Sequence, residues 1–170
     1  MQLTHYTTNF KKQKFPIILV CDNVSNAPNI GSLFRTADTF GIERLILCGE
    51  NIALGRKMTK TSRNTEKVVT YEIYKSAGKV INDFKQKGYQ IFSLEITDSS
   101  IPIDEFKFSS EKPLCLVLGD ENFGVSEHIL EVSDATIHIN MFGQNSSMNV
   151  VQAATIALYE ITKQFRPLFF

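Results

Sequence analysis

The chain has no pair of cysteines at metal-ligand or disulfide spacing. Cys21, Cys48 and Cys115 stand far apart, each in an apolar, strand-like segment. Buried free thiols are therefore expected rather than a disulfide scaffold or a metal centre, and no metal is expected. Long apolar runs are missing too. The longest span only a few residues, such as 16–21, so no transmembrane helix and no membrane partner are expected. The first residues are polar and include lysines where a signal peptide would need an apolar core, which makes a cytoplasmic address the expectation. Net charge is absent as well, because 18 Lys and Arg balance 18 Asp and Glu. That argues against holding nucleic acid by bulk electrostatics alone. There are no repeats and no clear linker. With 43% apolar and 21% charged residues, collagen-like, low-complexity and disordered classes are excluded. The length of 170 residues suits one domain, 1–170, with 1–14 as a short basic N-terminal arm.

The charge that is present is unevenly spread. Residues 1–67 carry ten Lys and Arg against five Asp and Glu, and residues 68–170 carry eight against thirteen. The basic half has two local clusters: Lys11, Lys12 and Lys14, then Arg56, Lys57, Lys60, Arg63 and Lys67. Each is either a solvated loop or a phosphate-contacting face.

Strand-like and helix-like segments alternate along the chain. Residues 15–24 form an apolar run rich in Ile and Val, expected as a buried strand. The cluster Ser25-Asn26-Ala27-Pro28-Asn29 then opens a helix that carries Leu33, Phe34 and Ala37 and stops at Gly41. Further strands are expected at 44–48, 68–74, 89–96, 114–118 and 135–139. A second helix is expected at 76–87 with Gly88 as its stop. Residues 49–67 are basic and weakly patterned, which predicts a long loop with a turn of helix. Residues 101–110 predict a polar connection. The last helix, 148–165, is apolar on more than one stripe and so wants two partners, its own sheet and a second subunit. Apolar strands separated by helices predict an α/β domain, a mainly parallel sheet with helices on both faces.

Ligands of such sheets bind beyond the carboxyl ends of the strands. Three turns rich in glycine or asparagine sit at such ends. In 119–126, GDENFGVS, Gly119 and Gly124 permit close backbone approach or positive φ. Asp120 and Glu121 bring carboxylates, and Ser126 is a candidate N-cap. In 139–150, INMFGQNSSMNV, Ser146 or Ser147 is the candidate cap, and the free N–H groups of the first helical turn suit an anion. In 26–35, NAPNIGSLFR, Asn29 lies at a helix start and Arg35 follows about two turns later. His5, His128 and His138 form no catalytic constellation, and no GxSxG, HExxH or Walker pattern is present. A dinucleotide-binding oxidoreductase is disfavoured because no GxGxxG follows the first strand.

Taken together, in order and with their spacing, NAPNIGSLFRTADTFG, LVLGDENFGVS and IHINMFGQNSSMNVVQAA resemble the three motifs of the SpoU/TrmH class of SPOUT RNA methyltransferases. The resemblance covers roughly residues 16–165. Ser147-Met148-Asn149 stands in the family's Ser-Leu-Asn position, and Asn140 stands where the family often has proline. The resemblance implies an α/β sheet whose C-terminal part forms a deep trefoil knot. It implies S-adenosylmethionine as cofactor, with S-adenosylhomocysteine as product. The adenine would be met by backbone around Leu94, Gly119, Ile139 and Met148, with Gly124 in the same loop wall. It also implies a homodimer through the C-terminal and motif-one helices, with sites at the interface, and methyl transfer to a ribose 2′-hydroxyl of RNA.

For that chemistry the residues implied are Arg35, Asn29, Glu121, Ser147 and Asn149. A guanidinium grips a phosphate beside the target ribose with fork geometry. With a pKa above ~12 it does not serve as the base, so water or phosphate organised by Arg35 is expected to take the proton, with Glu121 as the runner-up. Asn29 and Asn149 supply neutral donors and acceptors, and Ser147 is available to orient the hydroxyl or the helix terminus. Lys57, Lys60 and Arg63 are the expected RNA contacts. A tRNA substrate is favoured over rRNA, and a non-catalytic RNA-binding relative is the rival from another class.

Overall fold

The computed structural model describes residues 2, 3 and 7–166. His5, named above, and part of the N-terminal arm lie outside the described residues. The element order is β1 (Phe15–Asp22), α1 (Ala27–Thr39), β2 (Ile42–Cys48), α2 (Arg56–Ser62), a single 3-10 turn (Thr65–Lys67), β3 (Tyr71–Tyr74), α3 (Ala77–Gln86), β4 (Gln90–Leu94), β5 (Ile101–Pro102), β6 (Leu114–Leu118), α4 (Glu127–Val132), β7 (Ala135–His138) and α5 (Val150–Phe165). The strands form one sheet in the order β3-β2-β1-β6-β4-β7-β5, and every pair is parallel.

The sheet is buried on both faces because its central strands are apolar on both sides of the pleat: β6 is apolar throughout and β1 at every position before Asp22. In β1, Ile17, Leu19 and Cys21 join a core with α1, α2 and α5. The alternate residues Ile18 and Val20 join a second core with α3 and α4. Period-two alternation of side chains thus sends one strand into two cores. α5 buries Val150, Ala154, Ala157, Leu158, Ile161 and Phe165 yet leaves Ile156 and Tyr159 exposed. All three cysteines are buried and free, as the sequence predicted. Burial pushes the Cys21 and Cys115 thiols well up, and pushes Cys48 to about 12.

Two expectations change. Residues 49–67 are not mainly loop, since α2 and the 3-10 turn occupy 56–62 and 65–67. α2 packs tightly on α1 because Gly31 has no Cβ, and one built there would overlap the Met58 carbonyl and the Thr61 hydroxyl. The segment 101–110 contributes a two-residue edge strand, β5, paired with β7 through Ile101 and Pro102. No helix among the described residues is long and apolar enough to cross a membrane.

Candidate active site

The carboxyl ends of β1, β4, β6 and β7 converge on one region, and each end leads into a turn or loop. After β1 comes α1, whose N-cap is Asn26. Its side chain accepts the Asn29 N–H at 3.2 Å. After β6 comes the 119–126 turn, which is anchored at three places. Asp120 Oδ1 accepts the N–H groups of Asn122 and Phe123 at 2.8 and 3.1 Å. Glu95, just beyond β4, accepts the Val125 N–H on Oε2 at 3.0 Å. Asp22, buried at the end of β1, accepts the Ser126 N–H at 3.0 Å and also the Ser126 hydroxyl. Gly119 is required because a Cβ there would overlap the Gly124 and Val125 backbone. Gly124 is required because its φ is +69° and a Cβ would meet the Glu95 carboxylate.

Two capping expectations are corrected here. Ser126 stands at the N-cap position of α4 but makes no capping bond, because its hydroxyl is donated to Asp22. Neither Ser146 nor Ser147 caps the last helix. That helix starts at Val150, and its cap is Asn149, whose Oδ1 accepts the Val151 N–H at 2.9 Å.

Asn149 also joins the turns to one another. Asn29 Nδ2 donates to Glu121 Oε1 at 2.7 Å. Asn149 Nδ2 donates to the same oxygen at 3.0 Å and to Asn29 Oδ1 at 3.3 Å. Three of the five residues expected to be catalytic therefore form one hydrogen-bonded junction, with Glu121 as the common acceptor. No shared face of a single element places them together. The fold brings three chain segments to one point.

Beside this junction lies a cavity of about 490 Å³. Its wall includes Leu94, Gly119, Gly124, Ile139 and Met148, the five residues expected around the cofactor, and also Glu121 and Ser147. Among the wall residues that sequence reasoning did not assign to the site are Glu95, Thr97, Phe123 and His138. Thr97 Oγ1 and His138 Nδ1 are buried without a hydrogen-bond partner. His138 Nε2 lies 3.2 Å from Asn140 Oδ1, which leaves Nδ1 unpaired. Among the described residues, no cluster of three or more His, Cys, Asp or Glu side chains is placed to hold a metal.

Arg35 stands apart from this wall. It is exposed on α1, and among the described residues its guanidinium makes no hydrogen bond or ion pair. Lys57 and Lys60 are exposed on α2, and Arg63 follows at its C-cap in the left-handed region at φ 51°. They lie on, or just after, the helix that packs against α1 at Gly31, and none of them belongs to the cavity wall.

Comparison with known proteins agrees with this geometry. The SpoU rRNA Methylase family model matches residues 16–159. The tRNA (guanosine(18)-2′-O)-methyltransferase of Aquifex aeolicus is 33% identical over 157 residues, 91% of this chain and 72% of that protein. The protein of the same name from Escherichia coli K12 is 26% identical, over 88% of this chain and 64% of its own length. Among solved structures, the A. aeolicus TrmH/SpoU tRNA modifying enzyme superposes with a TM-score of 0.80 at 32% identity, covering 94% of this chain and 79% of that one. The SpoU methyltransferase AviRb from Streptomyces viridochromogenes, in complex with AdoMet, gives 0.79 at 26% identity, covering 90% and 61%. The parallel sheet, the three turns and the match from residue 16 to residue 159 agree with one another: this chain belongs to the SpoU rRNA methylase family.

Proposed function

We propose that this chain, as one domain, methylates a ribose 2′-hydroxyl of tRNA, with S-adenosylmethionine as donor. The observation that carries this reading is the junction of Asn29, Glu121 and Asn149 at the mouth of a cavity whose wall holds all five residues expected around the cofactor. The cavity suits that cofactor. Its wall mixes apolar side chains with backbone groups released by the turns, and the orphaned polar atoms of Thr97 and His138 await partners. Leu94, Gly119, Ile139 and Met148 would hold the adenosyl part through backbone groups. When bound, S-adenosylmethionine supplies an already activated methyl group.

The protein's part is to position and to manage a proton. The sugar hydroxyl must lie in line with the methyl group and lose its proton during attack. Asn29 and Asn149 are pinned by Glu121, so their amides are held still beside the reacting centre. Ser147, in the cavity wall, is within the same bend for orienting the hydroxyl. Glu121 keeps its second oxygen, Oε2, without a partner among the described residues, so it is available as acceptor if water or phosphate does not take the proton. Arg35, permanently charged, is suited to grip the neighbouring phosphate.

Arg35 is absent from its own cavity wall, and Ile156 and Tyr159 leave an apolar face on α5. Both support a homodimer through α5 and α1, in which Arg35 of one protomer serves the cavity of the other. The knotted C-terminal path belongs to the same reading. The test is tritiated methyl transfer from S-adenosylmethionine to purified tRNA and, separately, rRNA. Transfer to tRNA, lost by at least 100-fold in Arg35→Ala with S-adenosylhomocysteine binding intact, is expected. Binding of cofactor without any transfer to either RNA would make the chain a non-catalytic relative.

A further inference from the structure

A second hollow lies on the other side of the 119–126 turn. Asn23, Ser25, Asp120, Asn122, Phe123 and Ser126 line it, with the Gly124 backbone. Phe123 and Asn122 also line the first cavity, so the turn is a partition between two chambers. The Phe123 ring, 91% exposed, packs into neither core. A single exposed ring is ordinary on a protein surface; what sets Phe123 apart is that it lines both chambers, on a turn tied down at both ends.

The polar groups of the hollow indicate its occupant. It contains no Lys or Arg and one carboxylate, so it repels phosphate. Asp120 Oδ1 is used by the turn, which leaves Oδ2 as a free acceptor. Asn23 is held in the left-handed region at φ 60° by its N–H bond to the Cys48 carbonyl at 2.8 Å. Its Nδ2 is donated to Asp22 at 3.0 Å, which leaves Oδ1 as an acceptor. The Ser25 hydroxyl and the Asn122 amide make no hydrogen bond with any described residue. A flat aromatic wall with fixed acceptors and mobile hydroxyl and amide groups is what a nucleobase requires: a face to stack on and an edge to read.

We propose that this hollow holds the base of the nucleotide being methylated, stacked on Phe123, with its hydrogen-bonding edge toward Asp120 and Asn23. A base in this position leaves its ribose at the partition, beside Glu121 and Asn29. The phosphates stay outside the hollow, whose lining holds no basic group. The fixed acceptors favour a base edge that presents donors. That this nucleotide is the methylated one rests on the methyltransferase reading, but the test reads RNA affinity directly.

The experiment compares wild type with Phe123→Leu, Phe123→Tyr and Asp120→Asn, using fluorescence anisotropy with labelled tRNA and calorimetry with S-adenosylhomocysteine. Folding is not at stake at Phe123, since the ring is exposed. The expected result is about ten-fold weaker tRNA binding in Phe123→Leu, near-wild-type binding in Phe123→Tyr, and a loss of S-adenosylhomocysteine affinity well below ten-fold in Phe123→Leu, since the ring also lines the first cavity. Asp120→Asn should change the ranking of single-stranded oligonucleotides that differ in one base. Equal tRNA affinity in Phe123→Leu and wild type overturns the proposal, even if methyl transfer to tRNA is normal. Equal losses of tRNA and S-adenosylhomocysteine make Phe123 a wall of the cofactor chamber and also overturn it. If wild type binds tRNA and shows the Phe123 dependence but transfers no methyl group, the base site stands and the catalytic reading fails.

Discussion

Asn149 does two jobs that one substitution can separate. Its Oδ1 caps α5, and its Nδ2 bridges to Glu121 and Asn29. Asn149→Ser keeps the cap and removes the bridge. Asn149→Asp also keeps the cap, and its charge suits the positive end of the helix dipole by about 0.3–1 kcal/mol. However, the oxygen that replaces Nδ2 then stands where a nitrogen now lies 3.0 Å from Glu121 Oε1. Two like charges at that distance repel by about 1–2 kcal/mol in a water-like dielectric, the appropriate limit for exposed groups. Asn149→Asp should therefore be less stable than Asn149→Ser by roughly 1 kcal/mol at pH 7.5. The pH dependence has a definite sign. Neighbouring carboxylates raise the folded-state pKa of the pair above ordinary values, so the aspartate variant keeps its stability below about pH 4 and loses it as pH rises through the raised value. Urea unfolding followed by far-UV circular dichroism at pH 4 and 7.5 measures both, since the chain has no tryptophan to report. An Asn149→Asp variant as stable as Asn149→Ser at pH 7.5, with a gap that does not change with pH, would refute the three-segment junction.

Other outcomes follow from the same geometry. Gly119→Ala pushes a methyl group into the Gly124 backbone, where no side chain can yield, so calorimetry should show at least ten-fold weaker S-adenosylhomocysteine binding. Replacing Lys57, Lys60 and Arg63 by alanine should weaken tRNA binding and make the slope of log affinity against log salt shallower by roughly 2. An unchanged slope would place the RNA elsewhere. The thiols should resist a disulfide reagent at pH 8 until the chain is unfolded. With Cys48 raised from 9.0 to about 12 by burial and by Asp22, stability should fall from about pH 9 toward 12, because the unfolded thiol ionises first. Rapid labelling of the native protein would contradict the burial.

The central strands β1 and β6 were legible because each is a short, nearly unbroken apolar run bounded by turn residues, and that pattern has few alternatives. α2 was not legible, because only Met58 and Ser62 of its seven residues are buried and it rests on a gap at Gly31 that no pattern in 56–62 announces. The cap of α5 was misplaced for a chemical reason: Ser146, Ser147 and Asn149 are all competent caps, and only the start at Val150 selects among them. Glu121, Asn29 and Asn149 were found by motif order, but their mutual bonds were beyond sequence, since nothing local fixes distances across 92 or 120 residues. Phe123 was hidden because a phenylalanine in a turn ordinarily signals packing, and here it signals exposure. Asp22 gave a faint signal that went unused, a carboxylate closing an otherwise wholly apolar strand.

The reach of the Asn29–Glu121–Asn149 junction along the chain also bears on biosynthesis. A polypeptide still leaving the ribosome has its first asparagine early, but the last arrives only when α5 begins to emerge. Until then Glu121 lacks one of its two clamps and the helix that follows lacks its cap. A molecule that lacks α5 therefore has no finished junction beside the donor pocket, and methyl-donor loading reports that residue 149 has joined residues 29 and 121.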